Sequence, residues 1–214
     1  MQVQKDNIRE EILAVSRKMF LADGYQKSSM RDIADKVGIS VSNLYNYFQS
    51  KDAIFCAIVQ PVVTTLYDLL EEHHGNSAKL DVDDVVVDDN VIESVMHEYS
   101  MILKKHRALL KLLLFQAKGT SLEHFVDEYT DRSTVLVRDW FRRLKAICPS
   151  ARVEVSDLFV HINTVWIFTL LKEVIGHNLT NDEAEKVLRE YVEFEMYGWA
   201  NALNVDPKWF VTKI

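Results

Sequence analysis

The chain is poor in the residues that break or cross-link a backbone. Its 214 residues include 6 glycines, 3 prolines and 2 cysteines. So few turn formers, set between long stretches of helical periodicity, exclude a β-sandwich or barrel, which needs them at every corner. Cys56 and Cys148 each sit inside a helical pattern, so they form neither a disulfide framework nor a metal-ligand spacing, and they point to a reducing compartment. Met1 is followed by the polar run QVQKDN, unlike a secretory signal. The most apolar stretch, residues 158–171, is too short to span a bilayer and contains His161 and Asn163. The expectation is a soluble, cytoplasmic protein with no membrane partner.

Positive charge is also scarce. With 25 Lys and Arg against 32 Asp and Glu the formal charge is −7. That excludes a protein that coats nucleic acid over its whole surface, though not one with a local binding face. The deficit is uneven, because residues 1–52 carry 8 basic and 7 acidic side chains and the rest of the chain 17 basic and 25 acidic.

Catalytic signatures are missing as well. There is no phosphate-binding glycine loop and no nucleophile elbow. The stretch His97-Glu98-Tyr99-Ser100-Met101 begins like a zinc-protease motif but puts methionine where the second histidine must stand. His73-His74 reads as a polar helix end. Residues 76–90 are rich in aspartate, yet they lack the alternation and closing glutamate of a calcium loop and read as a solvated acidic segment. No enzyme, metal or cofactor is expected.

What the chain does have is helical pattern, about nine helices of it. Ile8, Ile12, Val15, Met19 and Phe20 recur at helical spacing and Gly24 stops them. Ser29 and Asp32 read as a capping box opening a short helix that ends at Gly38, and Ser40 caps the next, residues 41–48. Two short helices around a glycine that can take positive φ form a helix-turn-helix, with Ile33, Ala34, Val37, Ile39, Leu44 and Phe48 as its small core. Ser50 caps a fourth helix, which runs to about residue 72 through Pro61, where a kink is expected. Beyond the acidic segment the pattern resumes as helices over 91–105 and 107–118. Another opens on a Thr120–Glu123 capping box and reaches residue 147. A further helix covers 152–175, and the last starts from a Thr180–Glu183 box. The tail closes with Asp206-Pro207-Lys208-Trp209-Phe210.

From residue 9 to residue 52 the chain closely resembles the TetR-family DNA-binding domain. The resemblance rests on Ile12-Leu13, Phe20, Gly24-Tyr25, Ser28-Ser29-Met30, Asp32-Ile33-Ala34, Val37-Gly38-Ile39-Ser40, Leu44-Tyr45, Tyr47-Phe48 and Lys51-Asp52. One departure is Ser42, where the family often has glycine. The resemblance implies an all-α protein: a three-helix helix-turn-helix domain at 1–50, then a larger helical ligand-sensing and dimerisation domain at 51–214. It also implies double-stranded DNA, a second copy of the chain and a small-molecule effector as partners.

Side-chain chemistry supplies candidates for each role. Ser42, Asn43 and Asn46 carry short amides and hydroxyls suited to base edges, and Val41 offers a methyl surface for thymine. Tyr45, Tyr47 and Lys51 resemble the family's phosphate-holding positions, and Ser28, Ser29 and Arg31 are further phosphate candidates. In the larger domain Met101, Phe115, Tyr129, Trp140, His161 and Trp166 are candidates for a largely apolar pocket. Val187, Leu188, Tyr191, Phe194, Glu195 and Gly198 of the last helix, with the apolar helix 158–175, resemble the family's dimer-forming pair. The expectation is a repressor released from a near-palindromic operator by its ligand. An activator, or an adaptor whose helix-turn-helix meets protein instead of DNA, is the alternative, and a helical enzyme is a weaker rival.

Overall fold

The computed structural model describes residues 2–75 and 90–205, the side chains of residues 2–5, 90 and 91 excepted. The acidic segment and the 206–210 tail fall outside them. Among the described residues the chain is all-α, with eight helices: α1 (Gln2–Asp23), α2 (Met30–Val37), α3 (Val41–Tyr45), α4 (Lys51–His74), α5 (Asn90–Phe115), α6 (Phe125–Ile147), α7 (Asp157–Gly176) and α8 (Asn181–Leu203). They fall into two compact units, Met1–Thr64 with His106–Phe125, and Thr65–Lys105 with Val126–Ile214.

Local chemistry sets most boundaries in the first unit. The Ser29 hydroxyl accepts from the Asp32 amide at 3.2 Å while the Asp32 carboxylate accepts from the Ser29 amide at 2.9 Å, a closed capping box. Such a cap is worth about 1 kcal/mol. Gly38 ends α2 at φ +79° and donates to the carbonyls of Ala34 and Asp35. A Cβ at Gly38 would meet nothing within 4 Å, so conformation and not space selects glycine there. Ser40 caps α3 and Ser50 caps α4, each hydroxyl accepting from the amide three residues on. Ile33, Ala34 and Leu44 are fully buried and Phe48 nearly so, whereas Val37 and Ile39 are half-buried at the edge of this core. Beneath them Phe20, Tyr25 and Phe55 form an edge-on aromatic cluster, with ring centroids 5.3–6.0 Å apart.

Four expected boundaries move, the first being α3, expected to residue 48, which ends at Tyr45 and continues as a turn. Residues 91–105 and 107–118 are one helix, α5, because Lys105-His106-Arg107 contains no breaker. Thr120 and Glu123 do not cap α6. The Thr120 hydroxyl bonds the Ala117 carbonyl and the Leu122 amide, and Glu123 accepts from the Gly119 amide, so the stretch is a chain of turns and α6 begins at Phe125. The helix expected from residue 152 begins at Asp157, capped by the Ser156 hydroxyl, after a non-helical stretch. The Thr180–Glu183 box does open α8.

The second unit packs Val137, Trp140, Phe141, Leu144, Val160 and Leu203 into one core. By length and composition α4 and α7 could each cross a membrane, so the length argument applied to residues 158–171 does not carry over to α7 as formed. Both helices nonetheless bury a face within the protein; α7 buries Val160, Thr164, Phe168, Leu171, Val174 and Ile175.

Candidate nucleic-acid interface and ligand cavity

Helix α3 is five residues long and buries a single side chain, Leu44. Every other residue of it is at least partly open to solvent. Ser42, Tyr45 and Asn46 are exposed, Tyr45 at 51%, and Val41, Asn43 and Tyr47 are half-buried beside them. Local hydrogen bonds order this face: the Ser42 hydroxyl lies 3.1 Å from the Ser40 hydroxyl, and the Asn46 amide donates to Asn43 Oδ1 at 3.5 Å. An exposed row of short amides and hydroxyls, pinned through Leu44 and the Gly38 turn, suits base-edge recognition. Arg31 is exposed on α2.

Three phosphate candidates are placed differently. Ser28 is buried and its hydroxyl donates to the Gly24 carbonyl at 3.1 Å, closing the turn after α1. The Ser29 hydroxyl is committed to the capping box, donating to the Asp32 carboxylate at 2.6 Å. Lys51 Nζ donates to the carbonyls of Tyr25 and Ser28, both at 2.7 Å, and stands 3.9 Å from the centre of the Tyr25 ring. Its compact ammonium clasps the α1–α2 connection to the start of α4, so its role is structural first.

In the second unit a cavity of about 260 Å³ opens between helices. Leu66, Leu70, Ile102, Val137, Phe168 and Leu171 supply much of its apolar wall. Among the six pocket candidates only Tyr129 and Trp140 line it. The Tyr129 hydroxyl is engaged, donating to the Leu66 carbonyl at 3.1 Å. Met101 and Trp166 are exposed at 47% and 44%, on the outward faces of α5 and α7. Phe115 is 45% exposed and belongs to the first unit. His161 leans outward to Asp131, 3.7 Å away.

The polar groups of the cavity come from residues that spacing alone assigned elsewhere or passed over. On one side His73 Nε2 meets Glu98 Oε2 at 2.9 Å. Burial disfavours the His73 charge, but the bond and charge of Glu98, with Glu72 beyond, prevail and raise its pKa. On the other side the Asn163 amide donates to both oxygens of Glu195, at 2.9 and 2.8 Å. The Trp199 indole donates to Glu195 Oε2 at 3.0 Å and to Asn163 Oδ1 at 3.2 Å. Burial raises the Glu195 pKa against these bonds. Tyr191 stands within electrostatic reach of Glu195, yet its buried hydroxyl makes no hydrogen bond of normal geometry.

Tyr191 and Glu195, two of the six dimer candidates, therefore face the cavity, and Leu188 is buried inside the unit. Val187 is half-buried, whereas Phe194 and Gly198 are exposed. Phe194 has an exposed neighbour in Tyr197, and α7 exposes Leu158, Phe159, Ile162 and Trp166. A helical-wheel signal for these residues existed: Tyr191, Glu195 and Trp199 follow one another at four-residue steps, as do Leu158, Ile162 and Trp166.

Comparison with known proteins agrees with this arrangement. The family model for bacterial regulatory proteins of the tetR family matches residues 12–58. The chain is 24% identical over 187 residues to the uncharacterized HTH-type transcriptional regulator YvdT of Bacillus subtilis, covering 87% of this chain and 84% of that one. Among solved structures, a TetR-family regulator from Bordetella parapertussis superposes with a TM-score of 0.60 at 19% identity, covering 92% of this chain and 98% of its own. The TetR-family regulator PfmR of Thermus thermophilus gives 0.58 at 24% identity, covering 87% and 94%. Residues 12–58 thus carry the N-terminal domain of the TetR family, and the chain shares its fold with TetR-family transcriptional regulators.

Proposed function

We propose that the protein is a homodimeric, ligand-responsive repressor that binds a near-palindromic operator. Residues 1–50 are the DNA-binding domain and 51–214 the sensing and dimerisation domain. The exposed polar face of α3, held by the Gly38 turn within the matched segment, is the observation that carries this reading. Ser42, Asn43 and Asn46 read base edges in the major groove, Val41 meets a thymine methyl, and Tyr45, Tyr47 and Arg31 hold phosphate. A lone five-residue helix reads too little sequence for specificity, and a two-fold pair doubles it. The exposed apolar residues of α7 and α8, Trp166 and Phe194 among them, supply the surface that a second copy would cover.

The cavity takes a small effector. Helix α4 contributes Leu66, Leu69, Leu70, His73 and His74 to its wall and is one continuous helix back to Lys51. A ligand that fits one setting of α4 better than another shifts the balance between DNA-binding and released states by that difference in affinity. Pro61 lies within the helix, and Pro61→Ala is expected to change the coupling between ligand and DNA more than the affinity for either.

Gel-shift titration of the purified protein against its own upstream intergenic DNA, across a salt series with scrambled competitor, tests the reading. Specific binding that weakens steeply with salt is expected. Binding no better than to scrambled DNA, followed by failure of random-sequence selection to enrich a site, would overturn it.

A further inference from the structure

The cavity described above is built unevenly in charge. Its lining includes two carboxylates, Glu98 and Glu195, and neither lysine nor arginine. Glu98 has a partner able to carry positive charge, His73, at 2.9 Å. Glu195 has none: its hydrogen bonds come from the neutral amide of Asn163 and the neutral indole of Trp199. A carboxylate removed from water and held only by neutral donors is an incomplete ion pair, costly in its charged form until a cation arrives.

Two acceptors beside it stand open. Glu195 Oε2 receives two N–H groups, whereas Oε1 receives one. The Tyr191 hydroxyl, one helical turn earlier on α8, is buried within reach of that carboxylate and makes no hydrogen bond of normal geometry. Buried polar groups are almost always satisfied, so an orphan lining a cavity marks the place of something that belongs there. Around these atoms the wall is aromatic, with Tyr99, Tyr129, Trp140, Phe168, Tyr191 and Trp199 contributing rings whose faces attract cations.

We infer that the effector is a compact organic cation, an apolar body bearing an ammonium group, whose N–H donors reach Glu195 Oε1 and the Tyr191 hydroxyl while its apolar part fills the cavity. This rests on reading the cavity as the effector site and names the chemistry that the site selects. Acids are disfavoured by the same geometry, since an anion would face two carboxylates with neither lysine nor arginine among the described lining residues, and the one histidine of raised pKa, His73, is already paired with Glu98. Glu195 acts as counter-ion, and Asn163 and Trp199 are positioning residues that fix its carboxylate.

A matched series tests the inference on the full-length protein: 4-phenylbutylammonium, 4-phenylbutanol and 4-phenylbutanoate, titrated by quenching of tryptophan fluorescence and checked by calorimetry. The ammonium is expected to bind at least about tenfold more tightly than the alcohol, with the carboxylate weakest. In Glu195→Gln that preference is expected to collapse to about twofold or less while binding of the alcohol is retained; Tyr191→Phe should reduce it more mildly. Equal or tighter binding of the alcohol or the carboxylate would overturn the inference and leave the cavity as an effector site of other chemistry. If none of the three binds and a broad set of apolar compounds also gives no thermal shift, the effector-site reading itself falls, and the inference with it. Should Glu195→Gln fail to fold by circular dichroism, the ranking of the three compounds on the unaltered protein decides.

Discussion

The two units of this chain differ in what their polar groups are tied to. In the first unit the hydroxyls of Ser28 and Ser29 find partners within four residues and the Lys51 ammonium bonds the carbonyls of Tyr25 and Ser28, while the Ser16 hydroxyl is buried unpaired. In the second unit the Tyr191 hydroxyl and His74 Nδ1 are buried unpaired, and a cavity of about 260 Å³ remains. A unit whose turns are tied together by hydrogen bonds holds one geometry, which is what the proposed DNA-reading face requires. A unit with open space and unmet hydrogen-bonding capacity has room for the proposed effector.

The contrast yields four predictions, the largest first. Phe55→Ala should remove the centre of the first unit's aromatic cluster and lower the unfolding free energy by about 3–5 kcal/mol in chemical denaturation. A loss below about 1 kcal/mol would mean that the cluster is looser than the ring distances indicate.

Acid should act through the second unit. Burial, with the nearby charges of His73 and Arg143, holds the His74 pKa at about 3 against an ordinary value of 6.5. Between those values the unfolded chain binds a proton that the folded one refuses, so stability falls as the pH drops, by roughly 1 kcal/mol per pH unit. His73 works the other way, because its raised pKa gives stability that is complete below the unfolded value and is lost as pH rises through the folded one. His74→Gln should flatten the acid limb of a stability-against-pH curve. An unchanged slope would show the ring to be hydrated after all.

A paired change sharpens the comparison directly. Ala34→Leu adds bulk to a fully buried position where α2 packs in the first unit, and should cost about 1–3 kcal/mol. Val192→Leu adds a methylene at the cavity wall and should cost less than about 1 kcal/mol while weakening effector binding. Equal costs in thermal or chemical melts would erase the distinction between the units. Gly38→Ala completes the set. The site is open, so only the left-handed backbone opposes it, at about 1–2 kcal/mol, and a larger loss would reveal a steric neighbour.

The same difference explains what could be read from sequence. Ser29 with Asp32, Gly38, Ser40, Ser50 and Thr180 with Glu183 announce themselves because cap chemistry acts over three or four residues, and the structure places each as expected. Met101, Phe115, His161 and Trp166 are pocket candidates by type alone. Type does not say which way a side chain points on a helix that is apolar over most of its surface. Tyr191 and Glu195 show the converse: spacing put them on one stripe of α8, but only the packing of α7, through Asn163, reveals that the stripe turns inward. The joining of His106–Phe125 to the N-terminal unit, through contacts such as the Ser121 amide donating to Asp52, depends on pairings 69 residues apart that no local pattern encodes.

Lys51 carries a further consequence. Small domains with little core often rely on a bound metal ion to tie loops together through carbonyl oxygens. Here the side chain's own ammonium sits between the carbonyl oxygens of Tyr25 and Ser28, a cation attached to the chain by a covalent tether. Such an ion cannot be dialysed away or drawn off by a chelator, and it arrives at its site with the polypeptide at unit stoichiometry. Arginine at this position would keep the charge but bring a wide planar group to a place shaped for a point, so even that exchange of one base for another would open the clasp.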